Sequence, residues 1–247
     1  MSAPEHNYRH ELKYIISAAQ MSLLKSRIAS IMRPDPHAGA DGTYSIRSLY
    51  FDDYSNRCYY ENENGTDPRE KFRIRIYNHS AGRITLECKR KERGKTRKTS
   101  CPLTEAQTRA LMEGTPLPIT DDQPPLLRKL LLQAKMRGLR PVVIVEYERI
   151  PYIYKNGNVR VTFDTQIASS SDVPAFFSDT LPKRPIMPAG WHLMEVKFDE
   201  YLPDSIYRSL NLGQLQQTHS FLHPHQLRCL NPLYLEPLRL YLLPVQS

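Results

Sequence analysis

Apolar and polar residues alternate with a period of two through long stretches of this chain. In Lys71-Phe72-Arg73-Ile74-Arg75-Ile76-Tyr77 every second residue is basic until Tyr77, and those between are apolar. On a β-strand this sends Lys71, Arg73 and Arg75 to one face and Phe72, Ile74 and Ile76 to the other. Comparable patterns predict strands at Tyr8 to Ile16, Tyr44 to Phe51, Glu70 to Tyr77, Arg83 to Lys91 and Lys95 to Leu103. Further strands are expected at Pro141 to Tyr154, Asn158 to Thr165 and Trp191 to Phe198. His79-Ser80-Ala81-Gly82 and Asn156-Gly157 are turn signals between successive strands.

The pattern changes to a spacing of three or four at Met21, Leu24, Ile28 and Ile31, which predicts a helix over Ala18 to Met32. Ser17 and Gln20 make a capping box at its start. Thr104 and Gln107 repeat that signature before a second helix, and Pro124-Pro125 opens a third over Leu126 to Met136. Ser169 to Pro188 reads as a loop, Asp204 to Leu212 as a helix, and a shorter helix follows near the end. About eight strands with helices outside them predict an α+β chain. Its antiparallel sheet is expected to close into an eight-stranded barrel, one domain over 1–247 with a core at about 7–232.

Charge sharpens this picture. The chain carries a formal +8, and the stretch from Arg69 to Lys98 alone holds twelve Lys or Arg against three Glu. The basic character is therefore local and implies one anion-binding site. Like charges side by side on a hairpin repel, so water or a polyanion must screen them. Only Phe72 and Tyr77 are aromatic in the stretch, too few for a nucleic-acid stacking platform. The 247 residues include no apolar run long enough for a membrane span, so any membrane link is expected to go through a partner protein. Cys58, Cys88, Cys101 and Cys229 form no Cys-x-x-Cys pair, and the N-terminus has no apolar signal core, so a reduced, cytoplasmic protein is expected.

Glu11-Leu12-Lys13, Glu87-Cys88-Lys89 and Glu195-Val196-Lys197 each place a carboxylate and an amine two residues apart on one strand face. Singly such a pair is usually a solvated surface. Together, and beside the basic hairpin, they describe a pocket in which Arg and Lys hold phosphate oxygens and a Glu recruits a divalent cation. A regular strand through Glu146, Tyr147, Glu148 and Arg149 cannot send both glutamates and Arg149 inward, so a bulge or an outward Glu pair is expected there.

Arg9-His10-Glu11-Leu12-Lys13-Tyr14, Ser48-Leu49-Tyr50-Phe51-Asp52, Phe72 to Tyr77, Leu86 to Lys89, Tyr147-Glu148-Arg149, Arg160-Val161-Thr162-Phe163-Asp164 and Glu195-Val196-Lys197 follow in that order. In these motifs the chain resembles the VTC (vacuolar transporter chaperone) polyphosphate polymerase domain, a triphosphate tunnel metalloenzyme related to the CYTH group. The resemblance implies an eight-stranded tunnel that binds a nucleoside triphosphate, ATP above all, with manganese or magnesium, and transfers its terminal phosphoryl group to a growing polyphosphate. It implies phosphate contacts for Lys13, Arg73, Arg75, Lys89, Arg149 and Arg160, and a metal-ligand role for Glu195. Lys197, Arg47, Lys91 and Lys98 are looser matches to the same wall. Where the CYTH relatives begin Glu-x-Glu-x-Lys, this chain has Arg9-x-Glu11-x-Lys13, which favours the polymerase branch. The polymerases' C-terminal Ser-Lys-Tyr motif is replaced here by Thr218-His219-Ser220-Phe221-Leu222-His223-Pro224-His225-Gln226, without a Lys. Glu11, Glu87 and Glu146 leave triphosphate hydrolysis as a second reading, and a non-catalytic polyphosphate-binding module is a third. His219, His223 and His225 read as an exposed tail in preference to a metal site.

Overall fold

A computed structural model describes residues 9–93, 95–215 and 217–218. Its strands are β1 His10–Ser17, β2 Arg33–Pro34, β3 Tyr44–Asp52, β4 Arg69–Tyr77, β5 Ser80–Glu92, β6 Lys95–Leu103, β7 Arg140–Tyr154, β8 Val159–Ser170, β9 Arg184–Pro185 and β10 Trp191–Phe198. The helices are α1 Ala18–Ala29, α2 Arg57–Glu63, α3 Glu105–Glu113, α4 Pro125–Arg137 and α5 Asp204–Ser209. Both capping boxes form: Ser17 with Gln20 starts α1 and Thr104 with Gln107 starts α3. α2 has no such signal, because Asn56 precedes it in a left-handed conformation and makes no side-chain cap.

All strands belong to one antiparallel sheet in the order β1-β10-β8-β7-β3-β4-β5-β6, with β2 beside β7 and β9 beside β8. In a flat sheet, β1 and β5 would lie about 29 Å apart at six strand spacings of ~4.8 Å. Yet Lys89 Nζ of β5 is 3.3 Å from Glu11 Oε2 of β1. The sheet is therefore curled so that its polar side chains meet across an interior.

The expected barrel does not close. Among the described residues β1 and β6 end the strand order and do not pair with each other. The free edge of β1 is instead taken by the end of the described chain: Tyr14 bridges to Gln217, and the Thr218 amide donates to the Lys13 carbonyl at 2.8 Å. The result is a curled, open-seamed tunnel.

Alternation along the strands sorts the two faces. The convex face buries Leu49, Phe72, Ile74, Ile76 and Leu86 against Leu111 of α3 and Leu126, Leu127 and Leu130 of α4. It also buries Tyr14, Ile16, Val161, Phe163, Met194 and Val196 against Leu24 and Ile28 of α1 and Ile206 of α5. These two layers of helices leave the concave face to polar residues. An apolar cluster that includes Tyr44, Ile46, Val143, Val145, Tyr147 and Leu193 fills part of the concavity.

The conflict of parity in β7 is settled by an outward Glu146. Against β3 the register is regular, Glu146 opposite Arg47 and Arg149 opposite Tyr44. Against β8 it shifts between Glu146 and Glu148, where Gln166 adopts a φ of 51° and forms a bulge in the neighbouring strand. Tyr147 and Arg149 thereby share the concave side.

Candidate functional site

Cross-strand register brings Lys13, Lys71, Arg73, Arg75, Lys89, Lys91, Lys98, Arg149, Arg160 and Lys197 to the concave face, against Glu11, Glu87, Asp164 and Glu195. Lys71, Lys89 and Lys98 form one rung across β4, β5 and β6. Their mutual repulsion is partly offset, because Lys98 reaches Glu87 at 2.5 Å and Lys89 reaches Glu11 at 3.3 Å, while Lys71 has only the Asn62 amide oxygen among the described residues.

Each arginine is aimed by a carboxylate and a tyrosine or serine hydroxyl. Arg73 donates to Glu87 through Nε at 2.7 Å and Nη2 at 2.6 Å, and through Nη1 to the Tyr50 hydroxyl at 3.1 Å. Arg75 donates to Ser48 Oγ at 3.2 Å and to the Tyr147 hydroxyl at 3.4 Å, with Glu87 at 4.0 Å. Arg149 makes a two-pronged pair with Asp164, both contacts at 2.6 Å. Arg160 donates through Nη2 to the Tyr44 hydroxyl at 2.7 Å and lies 2.8 Å from Asp35. Fixed in this way, the guanidinium groups lose little further rotamer entropy on taking a ligand.

The carboxylates are held ionised. Burial would raise the Glu87 pKa, but Arg73, Arg75 and Lys98 outweigh it and bring it to about 2. Glu195 is likewise held well below the ordinary carboxylate range, because Lys197, Lys13 and Arg149 overcome its burial. Lys197 Nζ lies 2.6 Å from Glu195, and Lys13 and Arg149 lie at 3.7 Å. Burial alone would lower the Lys13 pKa, and the Glu195 and Glu11 carboxylates reverse that and raise it. Lys71 goes the other way: burial and the neighbouring Arg69, Lys89 and Lys13 charges bring it down to about 8.

The sequence matches the VTC domain over residues 8–222. The chain belongs to the VTC domain family. A search among curated proteins gives no match. Among solved structures, it is similar to a protein of Bacillus halodurans provisionally described as an adenylate cyclase, with 14% identity and a TM-score of 0.54. The likeness spans 91% of this chain and 98% of that one and is a likeness of fold. The family and this neighbour together make the curled sheet a triphosphate-tunnel fold.

Most of the residues expected in the wall of this VTC domain lie together on its concave face. Arg47 is the exception: contrary to the expectation from the resemblance, it does not line the tunnel. It shares its strand parity with Leu49, not with Ser48 and Tyr50, and so leaves the tunnel. Its side chain is 1% exposed, donates through Nε to Glu146 at 2.5 Å, and through Nη1 to the Phe176 and Ser178 carbonyls at 2.8 and 2.7 Å. Glu146, which also contacts Lys183 and His79, is withdrawn with it from the interior.

Hard oxygen donors of the kind a divalent cation would need converge at one place. Thr162 lies directly opposite Glu195, and its buried Oγ1 has no partner among the described residues. The Glu11 carboxylate stands near Glu195, and Lys13 Nζ contacts both, at 3.0 and 3.7 Å. Among the described residues no group of three or more His, Cys, Asp or Glu is placed to hold a metal ion. One or two carboxylates completed by substrate phosphates is, however, the usual magnesium arrangement, and Glu195 with Glu11 fits it. His219, His223 and His225 lie outside the described residues.

The tyrosines Tyr44, Tyr50 and Tyr147 were not singled out in the sequence. Only Tyr147 carries a signal in the sequence, since it shares the parity of Arg149, whereas Tyr44 and Tyr50 lie on the parity opposite Arg47, the one basic residue of β3. Lys71, which the alternation of β4 puts on the basic face, joins Lys13, Arg73 and Lys89 there. Asn62 Oδ1 of α2 accepts from Lys71 Nζ at 2.9 Å. No described helix is long and apolar enough to cross a membrane.

Proposed function

We propose that this VTC domain is a polyphosphate polymerase that moves the terminal phosphoryl group of a nucleoside triphosphate, ATP in the first instance, onto a phosphate chain lying in the tunnel. The observation that carries the reading is the concave cage of pre-aimed arginines and lysines. Phosphoryl transfer asks the protein mainly for positioning and for neutralisation of charge on the phosphoryl oxygens. Arg73, Arg75, Arg149 and Arg160 would grip those oxygens, and Lys13, Lys71, Lys89, Lys91, Lys98 and Lys197 would supply the surrounding positive field.

The terminal oxygen of the chain attacks the γ-phosphorus, the bond to the β–γ bridging oxygen breaks, and the diphosphate leaves with that electron pair. The attacking oxygen is already ionised near neutral pH, so no general base is required. A divalent cation held by Glu195 and Glu11 would supply further charge neutralisation at the transferred group.

Hydrolysis would instead need a base for water. Glu87, at a pKa of about 2, is a very weak one, and Glu195 is held in the same sense by its three cations. Synthesis therefore ranks above hydrolysis, and simple binding without turnover ranks third.

Incubation with ATP and manganese, followed by a gel for acid-stable chains and an assay for orthophosphate, tests the reading. Long chains are expected, and orthophosphate alone would replace the polymerase with a hydrolase. The Glu195→Gln variant should keep nucleotide binding and lose at least a hundredfold of metal-dependent turnover. Unchanged turnover would remove Glu195 from the metal.

A further inference from the structure

The β5–β6 hairpin is basic on both of its faces. Lys89 and Lys98 point into the tunnel, while the intervening residues Arg90 and Arg97 oppose each other on the convex side. Beneath the start of α4, that convex side forms a cleft of about 770 Å³. Arg90, Arg93, Arg97 and Lys129 line it, with Glu70 and Glu92. The buried side chains of Cys88 and Leu126 contribute to its lining.

We infer that this cleft is a second anion site, separate from the tunnel, that takes a short inorganic polyphosphate. Two arginines directly opposite on a strand pair repel each other, and here the carboxylates that offset this contact only Arg90 of the two. Glu70 Oε1 is shared between Arg90 at 3.0 Å and Lys129 at 2.6 Å, and Glu92 takes the Arg90 Nε at 3.0 Å. Both carboxylates are thus occupied. Arg93 and Arg97 have no carboxylate partner among the described residues, so their guanidinium groups are left for a ligand.

The helix above adds to the field. α4 opens with Pro124 and Pro125, without a side-chain cap or an acidic residue in its first turn, so its positive end is not neutralised from within. The volume lies within the range of small-ligand sites. No aromatic side chain lines it, so nothing is present to stack a nucleobase. Paired guanidinium groups without a stacking ring select bare phosphates over a nucleotide.

Titration calorimetry of the full chain with sodium tripolyphosphate tests this. The double variant Arg93→Gln/Arg97→Gln should bind one equivalent fewer than wild type and unfold at the same temperature. A second variant, Lys135→Gln/Arg137→Gln, removes the same charge from exposed positions at the far end of α4 and should bind as wild type does. An unchanged stoichiometry in the first variant overturns the site, as does an equal loss in the second. ATP should not occupy the lost equivalent. If it fills that site as well as tripolyphosphate does, or if the same two arginines instead hold the chain on vesicles bearing phosphoinositides, the assignment to a free polyphosphate falls. Equivalents that remain in the first variant report on the tunnel alone, so the two sites stand or fall separately.

Discussion

Arg47 and Arg75 lie on neighbouring strands and are both buried, yet one cation is structural and the other faces the ligand space. The difference is one of parity. Arg47 spends its charge on Glu146 and on two carbonyls of the segment that contains the Val173–Phe177 turn. Arg47→Ala should therefore destabilise the fold by about 3 kcal/mol, the low end for removing one partner of a buried pair, since Glu146 keeps Lys183 and His79. Triphosphate affinity should stay within about twofold of wild type. Chemical denaturation and calorimetry on the one variant check both halves. A stable variant that no longer binds would return Arg47 to the tunnel wall. Its position was legible in principle, because Leu49 and Phe51 share its parity and are plainly core residues. The weight of charge in the motif obscured that signal.

At the scale of elements, the long strands and both capping boxes could be read directly, because alternation and caps are local. α2 could not. It is seven residues long, has no cap and buries none of its side chains, so nothing in Arg57 to Glu63 distinguishes it from a loop. Its consequence is functional: Asn62 seats the Lys71 ammonium, which burial and the surrounding cations bring to a pKa of about 8. Below that value Lys71 is charged and attracts phosphate, and above it the rung with Lys89 and Lys98 loses a charge. Affinity for tripolyphosphate should accordingly weaken as pH rises from 7 to 9. Lys71→Arg, whose guanidinium stays protonated, should flatten that profile. An identical slope in the variant would assign the dependence to another group.

The whole molecule shows where sequence reading had to stop. Eight strands suggested closure, but whether β1 meets β6 depends on curvature and on what occupies the β1 edge, and neither is written in any one strand. Gln217 and Thr218 occupy it from more than 200 residues away in the chain. The curl then places Glu87 and Glu195 among cations drawn from several strands, and this couples fold stability to acid. The Glu87 pKa falls from its ordinary 4.5 to about 2 in the folded chain, so its contribution is complete above about pH 4.5 and is lost as pH falls toward 2. That contribution is about 3 kcal/mol at 1.36 kcal/mol per pKa unit, and Glu195, lowered in the same direction, adds to the loss. Once both are neutral, the tunnel cations face one another with less counter-charge, and a polyanion should matter more. Urea unfolding followed from pH 5 to pH 2.5 should show stability falling throughout, and tripolyphosphate should restore more of it at pH 3 than it adds at pH 5. Glu87→Gln should remove most of the decline attributed to that residue. If the variant instead loses stability with pH as steeply as wild type, the acid sensitivity lies outside the tunnel and Glu87 does not anchor its arginines.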